Sequence, residues 1–273
     1  MKTLYISDLD GTLLDQDACL SAYTTDTLNG LIDRGLFFSV ATARTAASTL
    51  KIVKNLHFNI PIALMNGVLI YDMQKDRCIK KELLGRDETE AIIEALHKYG
   101  QSAFMYSLEN DRLMTYHETL QKEHQRQFVQ ERIQRYRKDF VQVKDLHNKT
   151  QNDIIYFTML DDYECLQELY LDLRQMDTID TVLYRDTYSD HLWYLECHSK
   201  AASKRNAAKF LKAEYGFDRM VGFGDNLNDV PLFSACDECY AMQNAMPQLK
   251  EQATAVIGSN QEDGVAKQIK QLF

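Results

Sequence analysis

The sequence predicts an α/β protein, a doubly wound parallel sheet carrying an inserted α+β module. Three observations support this reading. Short apolar runs alternate with helical segments through the first third of the chain, the pattern of βαβ units. The same alternation returns in the last third. Between them, from about 82 to 188, the pattern changes to paired antiparallel runs and one long polar helix.

In chain order, Thr3–Ser7 reads as a short apolar strand. Residues 24–34 form a helix with Leu28, Leu31 and Ile32 on one face, followed by a strand over 36–40. A helix over 45–55 and a strand over 62–65 complete the first run, and Asn66-Gly67 opens a hairpin-like pair over 68–72 and 78–81. In the middle module, Asp87 and Glu90 resemble a capping box for a helix that runs to Tyr99 and stops at Gly100. Strands follow over 103–107 and 112–117, then a helix over 120–137. A strand over 153–160, a helix over 163–176 and strands near 181–185 and 192–197 end the module. Ser203 caps a helix that Gly216 closes. Strands over 220–223, 239–242 and 256–257, a short helix over 228–235 and a terminal helix from Glu262 complete the chain.

The 273 residues carry 31 basic and 40 acidic side chains, a net charge of −9. That balance argues against a nucleic-acid surface and requires any anionic ligand to be held by a local cation. No apolar run is long enough to span a membrane and no signal peptide is evident, so the chain reads as a cytoplasmic, soluble protein. Six scattered cysteines read as reduced packing residues. Cys236 and Cys239 form a C-x-x-C, but zinc would need a second ligand pair and no Gly-Pro redox turn is present. The basic stretch 122–138 is interleaved with acids and glutamines and reads as a solvated helix face.

Ligands of an open parallel sheet bind beyond the carboxyl ends of its strands. After the first strand comes Asp8-Leu9-Asp10-Gly11-Thr12, after the second Ala41-Thr42-Ala43-Arg44, and after the strand at 220–223 Gly224-Asp225-Asn226-Leu227-Asn228-Asp229. The helix preceding that last strand opens with Ser203-Lys204. Two carboxylates as close as Asp8 and Asp10 repel unless a cation or proton is shared. Each group has a role if the substrate is a phosphate ester. A carboxylate is a competent nucleophile towards phosphorus, and Mg²⁺ held by Asp8, Asp225 and the Asp10 carbonyl would neutralise the meeting of two anions. The Asp10 side chain can protonate the leaving alkoxide and then activate water. Thr42, the amides beside it and Lys204 can hold phosphoryl oxygens. Taken singly, a helix cap or an exposed lysine is the simpler explanation of every motif but the first, Asp8-Leu9-Asp10-Gly11, which on its own could still be a solvated turn. Their order, each at a strand end, does not fit that reading.

These motifs resemble those of the haloacid dehalogenase superfamily of phosphohydrolases. Asp8-Leu9-Asp10-Gly11-Thr12 resembles the first motif, Thr42 the second, Lys204 the third and Gly224-Asp225…Asn228-Asp229 the fourth. The insertion point after Asn66-Gly67, with Asn244-Ala245 and Glu262-Asp263-Gly264-Val265-Ala266, is similar to the Cof-like branch with a C2-type cap. The resemblance implies a Rossmann-like core over 1–81 and 189–273, with a specificity cap over 82–188 that folds over the site. It also implies Asp8 as nucleophile, Asp10 as general acid/base and Asp225 as a Mg²⁺ ligand. Asp229 joins the metal set by supporting it from behind, and Asn228 touches the phosphate or orients a ligand. Ala43 replaces the usual glycine of the second motif, keeping the amide but restricting the backbone. Arg205 follows the lysine where glycine is common, and Pro231-Leu232 also departs from the branch. Lys200 competes with Lys204 for the third motif, and the Ser203 cap favours Lys204, on the first turn of its helix. Arg44 is left open between phosphate and a core acid.

The expected partner is a small phosphate ester, with no nucleic acid or membrane. Phosphotransfer or phosphomutase action on the same pair, or a non-catalytic phosphometabolite-binding regulator, are the alternatives. Tyr106, Tyr116, His117, Tyr184, Arg185, His191 and Trp193 are candidates for substrate selection, with packing in the cap sheet as the competing role.

Overall fold

The computed structural model describes residues 1–109, 112–185 and 191–273. The chain divides into two compact units, Met1–Lys80 with Ala202–Phe273, and Lys81–Ala201. The expected boundary at 188/189 lies among residues outside those described.

The first unit begins with β1 (Thr3–Ser7), α1 (Ala22–Ile32), β2 (Phe37–Val40) and α2 (Ala46–Val53). Helix α1 starts two residues earlier than the apolar spacing suggests, because the Ser21 hydroxyl accepts from Thr24 N at 2.9 Å and caps it. Strands β3 (Ile62–Leu64), β4 (Leu69–Asp72) and β5 (Arg77–Lys81) make a small sheet in that order. A 3₁₀ turn, Met65–Gly67, links β3 and β4. Thr42 N donates to Ala63 O at 3.0 Å, so β3 continues the main sheet beyond β2.

The second unit comprises α3 (Arg86–Lys98), β6 (Phe104–Glu109), β7 (Arg112–His117), α4 (Glu123–Tyr136), β8 (Asp139–Gln142), β9 (Ile154–Asp162), α5 (Tyr163–Leu173), β10 (Ile179–Arg185) and β11 (Leu192–Ser199). Its sheet runs β10-β11-β9-β6-β7-β8. Met105, Phe157, Met159 and Leu195 pack one sheet face against Ile92, Ile93, Leu96 and Leu169 of α3 and α5. On the opposite face Phe128 of α4 stacks on Phe104 at 4.6 Å. Two local expectations fail here. The capping box at Asp87 does not form: Gly85 is the N-cap, and Glu90 is taken by Arg86 Nε at 2.8 Å, one turn away. Strand β8 is too polar to be read from sequence, and it forms because Phe140 packs on Phe104 and Phe128.

The first unit resumes with α6 (Lys204–Tyr215), β12 (Arg219–Gly224), α7 (Val230–Phe233), β13 (Glu238–Met242), α8 (Pro247–Lys250), β14 (Ala255–Ile257) and α9 (Gly264–Leu272). The main sheet is wholly parallel in the order β14-β13-β12-β1-β2. From β1 the chain crosses to β2 on one side, while β12 leads to β13 on the other, so the strand order reverses at β1–β12. That switch point is where open α/β sheets bind ligands. Leu4, Ile6, Ala208, Leu211 and Met220 form the core between this sheet and α6. Cys236 and Cys239 are free thiols. Cys236 Sγ sits against Gly222, and Cys239 Sγ donates to Phe233 O at 3.2 Å, so both serve packing. Among the described residues no helix is long and apolar enough to cross a membrane.

Candidate active site

Strand β1 delivers Asp8 to the switch point, where Asp8 N donates to Phe223 O of β12 at 3.0 Å. Beyond Asp8 the chain makes one wide turn, Leu9–Leu13, broken by Asp10 (ψ 125°) and Gly11 (φ 73°). A left-handed φ suits glycine, and space requires it too. A Cβ at Gly11 would lie 2.3 Å from Asp225 Oδ2. A side chain at this position would therefore displace Asp225.

Lys204 opens α6 and is buried, with 1% of its surface exposed. Its Nζ donates to Asp8 Oδ1 and to Asp229 Oδ1, each at 2.6 Å. The competing candidate Lys200 is exposed and belongs to the other unit. Asp229 is fully buried, and its Oδ2 accepts from the amides of Asp225 (3.0 Å) and Asn226 (3.2 Å). Those bonds occupy both Asp229 oxygens and fix the loop that presents Asp225. Asp225 Oδ1 accepts from the Thr12 hydroxyl at 2.9 Å. Asn228 is exposed in the 3₁₀ turn Leu227–Asp229.

Carboxyl oxygens of Asp8, Asp225 and Asp229 lie within 4.8 Å of one another. Three carboxylates face one ammonium, leaving a surplus of negative charge in a largely buried place. Burial pushes the Asp8 carboxyl well up, and Asp229 and Asp225 add to the rise while Lys204 opposes it. Asp225 is pushed up to about 6, by burial first and Asp229 second. For Lys204, burial works against the charge, but Asp229 and Asp8 outweigh it and hold the ammonium above its ordinary value. An all-oxygen donor set with excess charge fits a hard divalent cation.

Thr42 is fully buried, and its hydroxyl accepts from Arg44 N at 3.1 Å. Ala43, exposed between them, does not take a positive φ, so the glycine usual in this motif is not needed here. Arg44 pairs with a core acid: its guanidinium holds Asp10 through both oxygens, Nε to Oδ2 at 2.7 Å and an Nη to Oδ1 at 2.6 Å. Asp10 is half exposed, with 53% of its side-chain surface accessible, in contrast to Asp8.

The motifs did not assign a place here to Thr12, Asn66, Gly67 or Asn244. Asn244 Nδ2 donates to Gly11 O at 2.7 Å and so braces the loop after Asp10. Asn66, at φ 55°, donates its amide to Thr42 O at 2.9 Å, and its buried Oδ1 has no partner among the described residues. A Cβ at Gly67 would lie 2.4 Å from Ser203 O, so this glycine lets the turn reach the start of α6. Asn66-Gly67 was legible as a turn, but its contact with α6 depends on tertiary approach. In the second unit, Tyr106 packs edge-on to Tyr156, Tyr116 donates to Glu109, and His117 packs edge-on to Phe104. Tyr184 donates to Glu196, and Trp193 lies against Tyr163.

Residues 5–269 match the family model described as haloacid dehalogenase-like hydrolase. The 5-amino-6-(5-phospho-D-ribitylamino)uracil phosphatase YwtE of Bacillus subtilis is 26% identical, with 100% of this chain and 98% of that protein covered. The pyridoxal phosphate phosphatase YbhA of Escherichia coli is 25% identical over 95% of this chain and 94% of its own length. A crystal structure of a haloacid dehalogenase-like hydrolase from Bacteroides thetaiotaomicron superposes with a TM-score of 0.81 at 21% identity, covering 100% of both chains.

Proposed function

The chain belongs to the haloacid dehalogenase-like hydrolase family, and from that premise we propose that it is a Mg²⁺-dependent phosphatase of small phosphorylated metabolites that works through an aspartyl-phosphate on Asp8. The observation that carries this reading is the buried Asp8, bound to Lys204 through Oδ1, beside an arginine-held Asp10. The two phosphatases named above act, by their names, on unlike organic groups that share a phosphate monoester. The common demand on the site is therefore phosphoryl chemistry, and the rest of the substrate is read elsewhere.

Lys204 fixes Asp8 by one oxygen, leaving Oδ2 to attack phosphorus. The Asp8 Oδ2–P bond forms while the bond from phosphorus to the ester oxygen breaks, and Asp10 gives that oxygen a proton. Asp10 then takes a proton from water, whose oxygen attacks phosphorus, releasing phosphate and restoring the Asp8 carboxylate. The Arg44 fork orients Asp10 through both oxygens; one of those bonds opens when Asp10 takes up from solvent the proton that it gives to the leaving group. Thr42, the Ala43 amide, Lys204 and Asn228 hold phosphoryl oxygens, on which charge spreads in the transition state. Asp8, Asp225 and the Asp10 carbonyl would hold Mg²⁺, with Asp229 fixing the Asp225 loop; the ion supplies neutralisation of phosphoryl charge.

Removal of the ion with a chelator is expected to abolish phosphate release from a panel of phosphorylated metabolites, and Mg²⁺ to restore it. Activity unchanged after chelation would contradict this reading. A pH effect accompanies it. The folded Asp225 carboxyl is raised from an ordinary value of about 3.9 to about 6, so metal-free protein loses stability as pH rises between those values. Mg²⁺ binds the ionised form, so its addition should raise the Tm clearly at pH 7.5 and little at pH 5. Thermal melts at the two pH values check the sign.

A further inference from the structure

A second convergence of ligand-type side chains lies in the other unit, on residues the phosphatase reading does not use. We propose that His97, Glu118 and Asp145 form a binding site for a borderline divalent transition cation such as Zn²⁺, with His147 holding Asp145 in place. The three ligands come from separate stretches of chain. His97 sits in the last turn of α3, Glu118 directly follows β7, and Asp145 is the N-cap of the 3₁₀ turn Leu146–Lys149.

Backbone and side-chain bonds hold them towards one point. Glu118 Oε1 accepts from Leu146 N at 2.9 Å, which ties the exit of β7 to that turn. His97 Nε2 stands 3.1 and 3.2 Å from the two Glu118 oxygens. Asp145 Oδ1 accepts from His147 N at 2.8 Å and faces His147 Nδ1 at 2.8 Å, and the His147 ring lies 5.5 Å from that of His97. One donor atom each from His97, Glu118 and Asp145 falls within 4.8 Å of the others.

Zinc bonds of about 2.0–2.1 Å set tetrahedral ligands about 3.4 Å apart. The His97–Glu118 spacing is already close to that value, and the Asp145 arm needs only a modest inward shift. Two separate surface ion pairs would explain the individual contacts, but not three chain segments aiming donors at one place. An imidazole with two carboxylates suits zinc-like ions better than Mg²⁺, which prefers oxygen and keeps its waters. The side chains are partly exposed, 44% for His97 and 48% for Asp145, which gives an ion a way in and leaves room for a water as the fourth ligand. A bound ion would staple the end of α3 to the exit of β7 and to the 146–149 turn. The Nδ1 contact to Asp145 gives His147 the role of an outer partner that orients a ligand.

The test uses the whole protein in excess Mg²⁺, titrated with Zn²⁺ by calorimetry and with Co²⁺ by visible absorption. Wild type and Asp225→Asn are each expected to bind one equivalent that His97→Gln and Asp145→Asn lose. His147→Ala should weaken binding about 10- to 100-fold. His97→Gln should keep wild-type phosphatase activity in Mg²⁺, since His97 lies at a half-exposed helix end. Circular dichroism of the metal-free variants verifies folding. Unchanged Zn²⁺ binding in both His97→Gln and Asp145→Asn, or loss of the equivalent in Asp225→Asn alone, would overturn the proposal.

Discussion

Asp8→Asn is expected to lower kcat by on the order of 10⁴- to 10⁶-fold, the scale on which removing a covalent nucleophile acts. An amide keeps the shape of the side chain and one acceptor for Lys204, but it cannot form the acyl phosphate. The fold should survive, because the substitution removes one buried negative charge from a site with a surplus. Burial is the first cause of the raised Asp8 carboxyl, and the neighbouring carboxylates Asp229 and Asp225 add to the rise. The metal-free variant is therefore expected to melt no lower than wild type at pH 7.5. Steady-state phosphate release with thermal melts on the same samples separates lost chemistry from lost structure.

Lys204→Met has the opposite effect on stability. The lysine is 1% exposed and lies between Asp8 and Asp229, which are 4% and 0% exposed. Removing the cation strands two buried carboxylates, a change that costs about 3–5 kcal/mol. The Asp8 carboxyl, already raised by burial, then rises further above its unfolded value, so the metal-free variant recovers stability as pH falls. Urea melts at pH 8 and pH 5 should show a large deficit at the higher pH and a smaller one at the lower. Equal deficits would show that lost packing of the lysine stem is the cause. Activity should fall as well, because Asp8 loses the group that orients it.

Much of this arrangement was legible in the sequence. Asp8, Thr42 and Asp225 each follow a short apolar run, and a parallel sheet brings the ends of its strands to one edge. Lys204 was legible through Ser203, whose hydroxyl accepts from Asn206 N at 3.0 Å and so fixes where α6 begins. The remainder depends on distances that no local pattern encodes. The grip of Arg44 on Asp10 crosses 34 residues, and the bond from Thr12 to Asp225 crosses 213. Gly67 meets a local demand, its positive φ of 94°, and a second one, the approach of Ser203, that its neighbours in sequence do not encode. The capping box at Asp87 failed because Arg86 stands four residues before Glu90 and takes its carboxylate. Strand β8 was missed because its hydrophobic contacts come from α4 and β6, not from an apolar run of its own.

The covalent role of Asp8 is tested most directly with Asp10→Asn and p-nitrophenyl phosphate. Nitrophenolate leaves without a proton, so the first step should proceed while water attack is slowed by about 10²- to 10⁴-fold. A rapid-quench experiment should give a burst of one nitrophenolate per active site. Borohydride reduction of the quenched protein should then convert Asp8, and no other carboxylate, to homoserine. Linear release without a burst and an unmodified Asp8, in a variant that still turns over, would contradict the aspartyl-phosphate account.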